Sequence, residues 1–248
     1  MLVQAIDKTT AIVSEFARLV EVVAAMNAAD AAREIYKSFG TLLEHYRPPP
    51  GFSGSWQSTN EDFYKFMGYE LFVTFMSFLV HENRWDLIAD LLEEGLYVEN
   101  TGTGNSGIVS AGQLSYGAEL LVRRKNRLKL DRVSLQAAML NERHTQSEIV
   151  ELVPMRQFVD ADYFLYLRLD SDWTAWSTLY ISRQVPRYLA EAIQAKNAQR
   201  LFRPLKVQDI ESLRKLLIER RNSLPQLFRH SFGFRPLQGF NPGLIGSQ

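Results

Sequence analysis

Apolar residues recur at helical spacing from the first residues of the chain. Leu2, Ile6, Thr9, Val13, Phe16, Val20 and Val23 follow alternating steps of four and three, which line up on one side of an α-helix. A second stripe, Ala5, Ile12, Leu19 and Met26, repeats at sevens. The combined apolar arc is wide, as expected for a helix buried on two sides or seated in a helical interface. Val13, Phe16, Val20 and Val23 are accordingly the expected anchors for a partner chain. Asn27 and Asp30 interrupt the pattern, and Asp30 suits the cap of a second helix carrying Ile35, Phe39, Leu42 and Leu43. Pro48-Pro49-Pro50-Gly51 must end that helix near Tyr46, so residues 47–57 read as a linker.

Ser58-Thr59-Asn60-Glu61 has the form of a capping box and precedes the most apolar segment. From Phe63 to Val80 no polar face remains, which predicts a helix at the centre of the globule. Asn83 to Glu94 gives a further helix, with Trp85, Ile88, Leu91 and Leu92 on one side and Gly95 as its stop. Leu96-Tyr97-Val98 suits a short strand, and 101–118, uncharged with five glycines, reads as a loop or flap. Helices are expected again over 119–129, 133–143, 154–168, 185–202 and 208–221, with another starting at Trp173 under an Asp172 cap. The predicted fold is mainly α: a multi-helix bundle around a hydrophobic central helix, with at most a minor β element and an extended C-terminal arm. The predicted organisation is an N-terminal helical pair (1–46), a helical core (58–227) and the arm (228–248).

Composition narrows the chemistry. The 248 residues include no Cys, which excludes a disulfide, a thiolate nucleophile and any Cys-based metal site. The most apolar charge-free run, Leu71 to His81, is too short for a bilayer, and the N-terminus does not read as a leader. A cytoplasmic protein without membrane association is the expectation. Total charge is balanced, but residues 1–100 carry 7 Lys+Arg against 15 Asp+Glu, and residues 101–248 carry 21 against 13. The basic portion can meet an acidic partner, a polyanion or the acidic portion of its own chain.

Gly102-Thr103-Gly104-Asn105-Ser106-Gly107 matches G-x-G-x-x-G, but the strand before it is three residues long and the stretch after it is a poor helix. It reads as a surface loop, and no cofactor is expected. Arg123, Arg124, Lys125, Arg127, Lys129 and Arg132 form the densest basic run. They are candidate phosphate or nucleic-acid contacts, although cations also suit the end of the helix that begins near Glu119. His45, His81, His144 and His230 have no metal-binding spacing, and Asp160 and Asp162 would diverge on a helix. No catalytic residue and no metal ligand is assigned. In the arm, Phe228, Phe232 and Phe234 alternate with Arg229, His230 and Arg235, a pattern that stacks on bases, fills a partner's groove or packs back on its own domain.

Met67-Gly68-Tyr69-Glu70-Leu71-Phe72-Val73, Trp85-Asp86-Leu87-Ile88 and Leu96-Tyr97-Val98-Glu99-Asn100 together are similar in texture to helical accessory modules of bacterial defence effectors. The resemblance assigns no residue a role. It implies a nucleic-acid- or nucleotide-sensing subunit of a bacterial defence system. The sequence thus points to a non-enzymatic, helical protein-interaction or regulatory subunit, its partner another protein or a second copy. The alternative is a nucleic-acid- or nucleotide-sensing subunit.

Overall fold

The N-terminal stripe folds as two helices, α1 (Leu2–Asp7) and α2 (Thr10–Ala25), broken at Lys8 and Thr9. The Thr9 hydroxyl turns back onto the Ile6 carbonyl at 2.6 Å, a local bond that competes with the helical ladder. A computed structural model describes residues 1–49, 51–99, 106–180, 185–222 and 240–248. Within them the chain is mainly helical, with a single two-stranded sheet.

Helix α3 (Ala29–Glu44) starts one residue after Ala28, so Asp30 lies in its first turn instead of capping it. There its charge still meets the positive end of the helix dipole. Helix α4 (Asp62–His81) likewise starts beyond the expected capping box. Ser58 donates to Glu119 at 2.5 Å, and Glu61 accepts the Trp56 indole N–H at 2.9 Å with the Lys65 ammonium 3.1 Å away. Those partners draw the box residues away from reciprocal capping.

Helix α4 is buried on nearly all sides, as its sequence predicts. Its length and composition would let it cross a membrane, but 83% of the relevant window lies inside the molecule. The surrounding helices explain that burial. α1, α2 and α3 pack along one side, and α8 (Met155–Leu169) packs along it most extensively. α5 (Trp85–Glu94) follows, stopped by Gly95 at φ +70°, a backbone conformation that glycine adopts without a Cβ penalty. Strand β1 (Leu96–Val98) pairs antiparallel with β2 (Gly107–Val109), Tyr97 opposite Ile108. β1 lies so close to α3 that a Cβ on Gly40 would collide with the Tyr97 carbonyl.

The remaining helices are α6 (Glu119–Arg127), α7 (Leu135–Gln146), α9 (Arg187–Glu191), α10 (Ala195–Arg200) and α11 (Ile210–Asn222). Two expectations fail here. The region 185–202 divides at Ala192–Gln194, where backbone groups bond to the C-terminus: Gly246 N–H to Ala192 O at 2.9 Å and Gln248 N–H to Ile193 O at 3.2 Å. No α-helix begins at Trp173, which is extended; a 3-10 turn occupies Trp176–Tyr180. Both indoles are used elsewhere, Trp173 Nε1 donating to Asp162 at 2.7 Å and Trp176 Nε1 to the Ser115 carbonyl at 3.0 Å.

One hydrophobic cluster runs from Ile6 to Ile245, joining the N-terminal helices, α4, α8 and the C-terminus. Residues 240–248 pack back onto the body, with Phe240, Pro242 and Ile245 buried and the Arg214 guanidinium donating to the Ile245 carbonyl at 2.8 and 3.1 Å.

Candidate interaction surface and polar cavity

Helix α2 presents two apolar sides, and packing separates them. Val13, Val20 and Val23 turn inward and belong to the core. Phe16 is partly covered and meets Phe39 edge-on, ring centroids 6.4 Å apart. These four were the expected partner anchors, but their surface is taken up by the chain's own core. The second stripe faces out. Ile12 is 60% exposed, Leu19 55%, Val22 55% and Met26 75%. Within that ridge the charges are Glu15 and Arg18, both exposed and of opposite sign. A run of large exposed apolar side chains on one helix face is unusual for a monomer's surface.

The basic run ends α6 and continues into the turn after it. Arg123 is paired back to Glu119 at 2.9 Å through Nε, Lys125 donates to the Val133 carbonyl at 3.0 Å, and Arg132 to the Asp131 carbonyl at 3.2 Å. Arg124, Arg127 and Lys129 are exposed. Of the glycine motif, Gly107 opens β2, not a helix, and Gly102 and Gly104 lie outside the described residues. Phe228, Phe232 and Phe234 also lie outside them.

Two ionised or ionisable networks sit in the core. Glu70 of α4 accepts Arg143 Nε at 2.6 Å, with His144 Nε2 3.5 Å away. Burial pushes the Glu70 carboxyl up, yet His144 and Arg143 outweigh it and hold the group below its ordinary range. The same guanidinium donates to the Ile6 carbonyl at 3.0 Å and to the hydroxyls of Thr10 and Thr9 at 3.2 Å, so it satisfies the break between α1 and α2. The second network centres on Asp162 of α8. It accepts the Tyr69 hydroxyl, the Trp173 indole, and the amide and hydroxyl of Ser177 at 2.9 and 2.5 Å. Burial still dominates and pushes this carboxyl up to about 6. The carboxylates of both networks are fully buried, and Arg143 is almost wholly so. They act as polar joints between helices.

Asp160 points elsewhere, as the helical spacing requires. It lines a cavity of about 200 Å³ between the end of α4, the start of α8 and α9. Arg156, Gln157, Tyr188 and Glu191 line the same space. Asp160 Oδ2 accepts the Arg187 amide N–H at 3.1 Å, while Arg187 Nε pairs with Glu191 at 2.8 Å. Burial pushes the Asp160 carboxyl up to about 6, against the opposing effects of that amide and of Arg156 and Arg187. The Tyr188 hydroxyl and Gln157 Nε2 are buried without a hydrogen-bond partner. The sequence reading missed this cavity because its walls come from three segments far apart in the chain. Only the divergence of Asp160 from Asp162 was legible.

Among the described residues no group of three His, Asp or Glu side chains is arranged to hold a metal ion. His45 stacks on Tyr64, His144 is buried against the Val153 carbonyl at 2.8 Å, and His81 lies at the cavity. Compared with protein-family models, curated proteins and solved structures, the chain finds no match.

Proposed function

We propose that this protein is a non-enzymatic helical interaction subunit of the cytoplasm that pairs with a second copy of itself through the outer face of α2. The observation that carries this reading is the exposure of Ile12, Leu19, Val22 and Met26 on one side of a 16-residue helix. Their burial against a partner removes apolar surface from water, the main favourable term in association. An antiparallel copy centred at the level of Ala17 sets Ile12 against Val22 of its mate and brings Glu15 beside Arg18. The two charges have opposite signs, so the ridge approaches its copy without net repulsion.

The ridge, from Ile12 to Met26, is about 21 Å long. That length places the helix pair at the small end of specific interfaces, where a weak, concentration-dependent dimer is expected. Light scattering during size-exclusion chromatography tests this directly. The expected result is a mass that rises from one chain to two across micromolar concentrations, and a single-chain mass for the Ile12→Glu, Leu19→Glu double variant. The mass of one chain at every concentration, or a dimer that survives both substitutions, overturns the reading.

A further inference from the structure

The cavity beside Asp160 has the chemistry of a binding site. Val80 and Pro154 supply apolar wall, and the space takes about six waters at liquid density, the size of a small amino acid. Tyr188 is only 4% exposed, its ring packed between Trp85 and Phe164, yet its hydroxyl has no partner. Gln157 Nε2 is a second buried donor without an acceptor. Unpartnered buried donors are costly, and although the core holds others among the described residues, these two line one small cavity in which a guest can supply acceptor oxygens.

The opposite need is on the same wall. Asp160 uses Oδ2 for the Arg187 amide and has no other hydrogen bond among the described residues. Arg156 precedes it by four positions on α8, a spacing that often forms an ion pair, and here none joins them. Arg187 is already held by Glu191. A cation, two neutral donors and an acceptor carboxylate therefore face one space without satisfying one another.

We propose that this cavity binds a small zwitterion of the α-amino-acid class with a short aliphatic side chain. Its carboxylate accepts the Tyr188 hydroxyl and Gln157 amide protons beside Arg156, its ammonium donates to Asp160, and its side chain rests on Val80 and Pro154. An ammonium at Asp160 also favours the ionised carboxyl, whose charge burial otherwise disfavours.

The test is amide-resolved NMR titration of the full chain with L-alanine, L-valine and L-leucine. Two probes each lack one charge: isoamylamine carries only the ammonium, and 4-methylvalerate only the carboxylate. The expected result is saturable shifts at Ser77, Gln157 and Tyr188 for at least one amino acid, with a dissociation constant below about 10 mM. Each single-charge probe should bind at least about tenfold more weakly than the tightest of the three amino acids, and that amino acid should bind Asp160→Asn and Tyr188→Phe at least about tenfold more weakly than the parent. Neither substitution removes a hydrogen bond the fold depends on, so both variants should melt no lower than the parent, which separates lost binding from lost folding. No saturable shift by about 20 mM for any of the three amino acids overturns the proposal. Equal binding of either single-charge probe, or unchanged affinity in both variants, does so too.

Discussion

The Arg143 guanidinium donates to the Glu70 carboxylate at 2.6 Å, joining α7 to α4 where both side chains are almost wholly buried. The same group holds the Ile6 carbonyl and two threonine hydroxyls at the α1–α2 break. One side chain thereby compensates a buried acid and an interrupted helix. Arg143→Met should destabilise the protein by about 3–5 kcal/mol, because it strands the buried Glu70 charge, whereas the Ile6 carbonyl keeps the Thr9 amide and hydroxyl as donors. Adding Glu70→Gln should recover part of that loss. Urea denaturation of the two single variants and the double variant measures the coupling, and strictly additive effects would disprove the link.

The buried carboxyls give opposite pH signatures. Glu70 is held below its ordinary range, so its contribution is present at neutral pH and fades as pH falls through its folded-state value. Asp160 is raised to about 6. Between its unfolded and folded values the native state binds more protons, so its cost to stability shrinks as pH drops from 7 towards 4. Asp160→Asn should therefore stabilise the protein by about 1–3 kcal/mol at pH 7 and by almost nothing near pH 4. Denaturation midpoints across that window check it; a gain that does not shrink on acidification would show that charge burial is not the cause.

Gly40 reports on the seating of β1 against α3. A Cβ there meets the Tyr97 carbonyl, which is backbone and cannot swing aside as a side chain can. Gly40→Ala should cost about 1–3 kcal/mol despite the better helix propensity of alanine. Thermal denaturation decides it, since a variant at least as stable as the parent would mean that β1 shifts freely.

The exposed cations at the end of α6 make the polyanion reading testable. If Arg124, Arg127 and Lys129 contact phosphates, replacing all three with Glu should abolish binding to a short single-stranded RNA at low salt, and parent binding should weaken steeply with added salt. Fluorescence anisotropy measures both. Undiminished binding by the triple variant would remove this run from any nucleic-acid role and leave its cations as helix-end electrostatics.

Sequence periodicity by itself determined much of this protein. The all-round apolar stretch before His81 is the central helix because no orientation of it could face water. Gly95 ends α5 and Leu96–Val98 forms a strand, both local choices of backbone and side chain. Tertiary structure alone decided which surfaces are candidates for function. The two stripes of α2 are both apolar, and the positions of α3, α4 and the 148–151 turn selected Val13 and Val20 for the core and left Ile12 and Leu19 outside. Trp173 and Trp176 left the expected helix because Asp162, on the preceding helix, and the Ser115 carbonyl, distant in sequence, offered buried acceptors. The Arg143 joint and the cavity at Asp160 each gather side chains from segments far apart in the chain. Such meetings depend on long-range packing, and local periodicity carries no information about them.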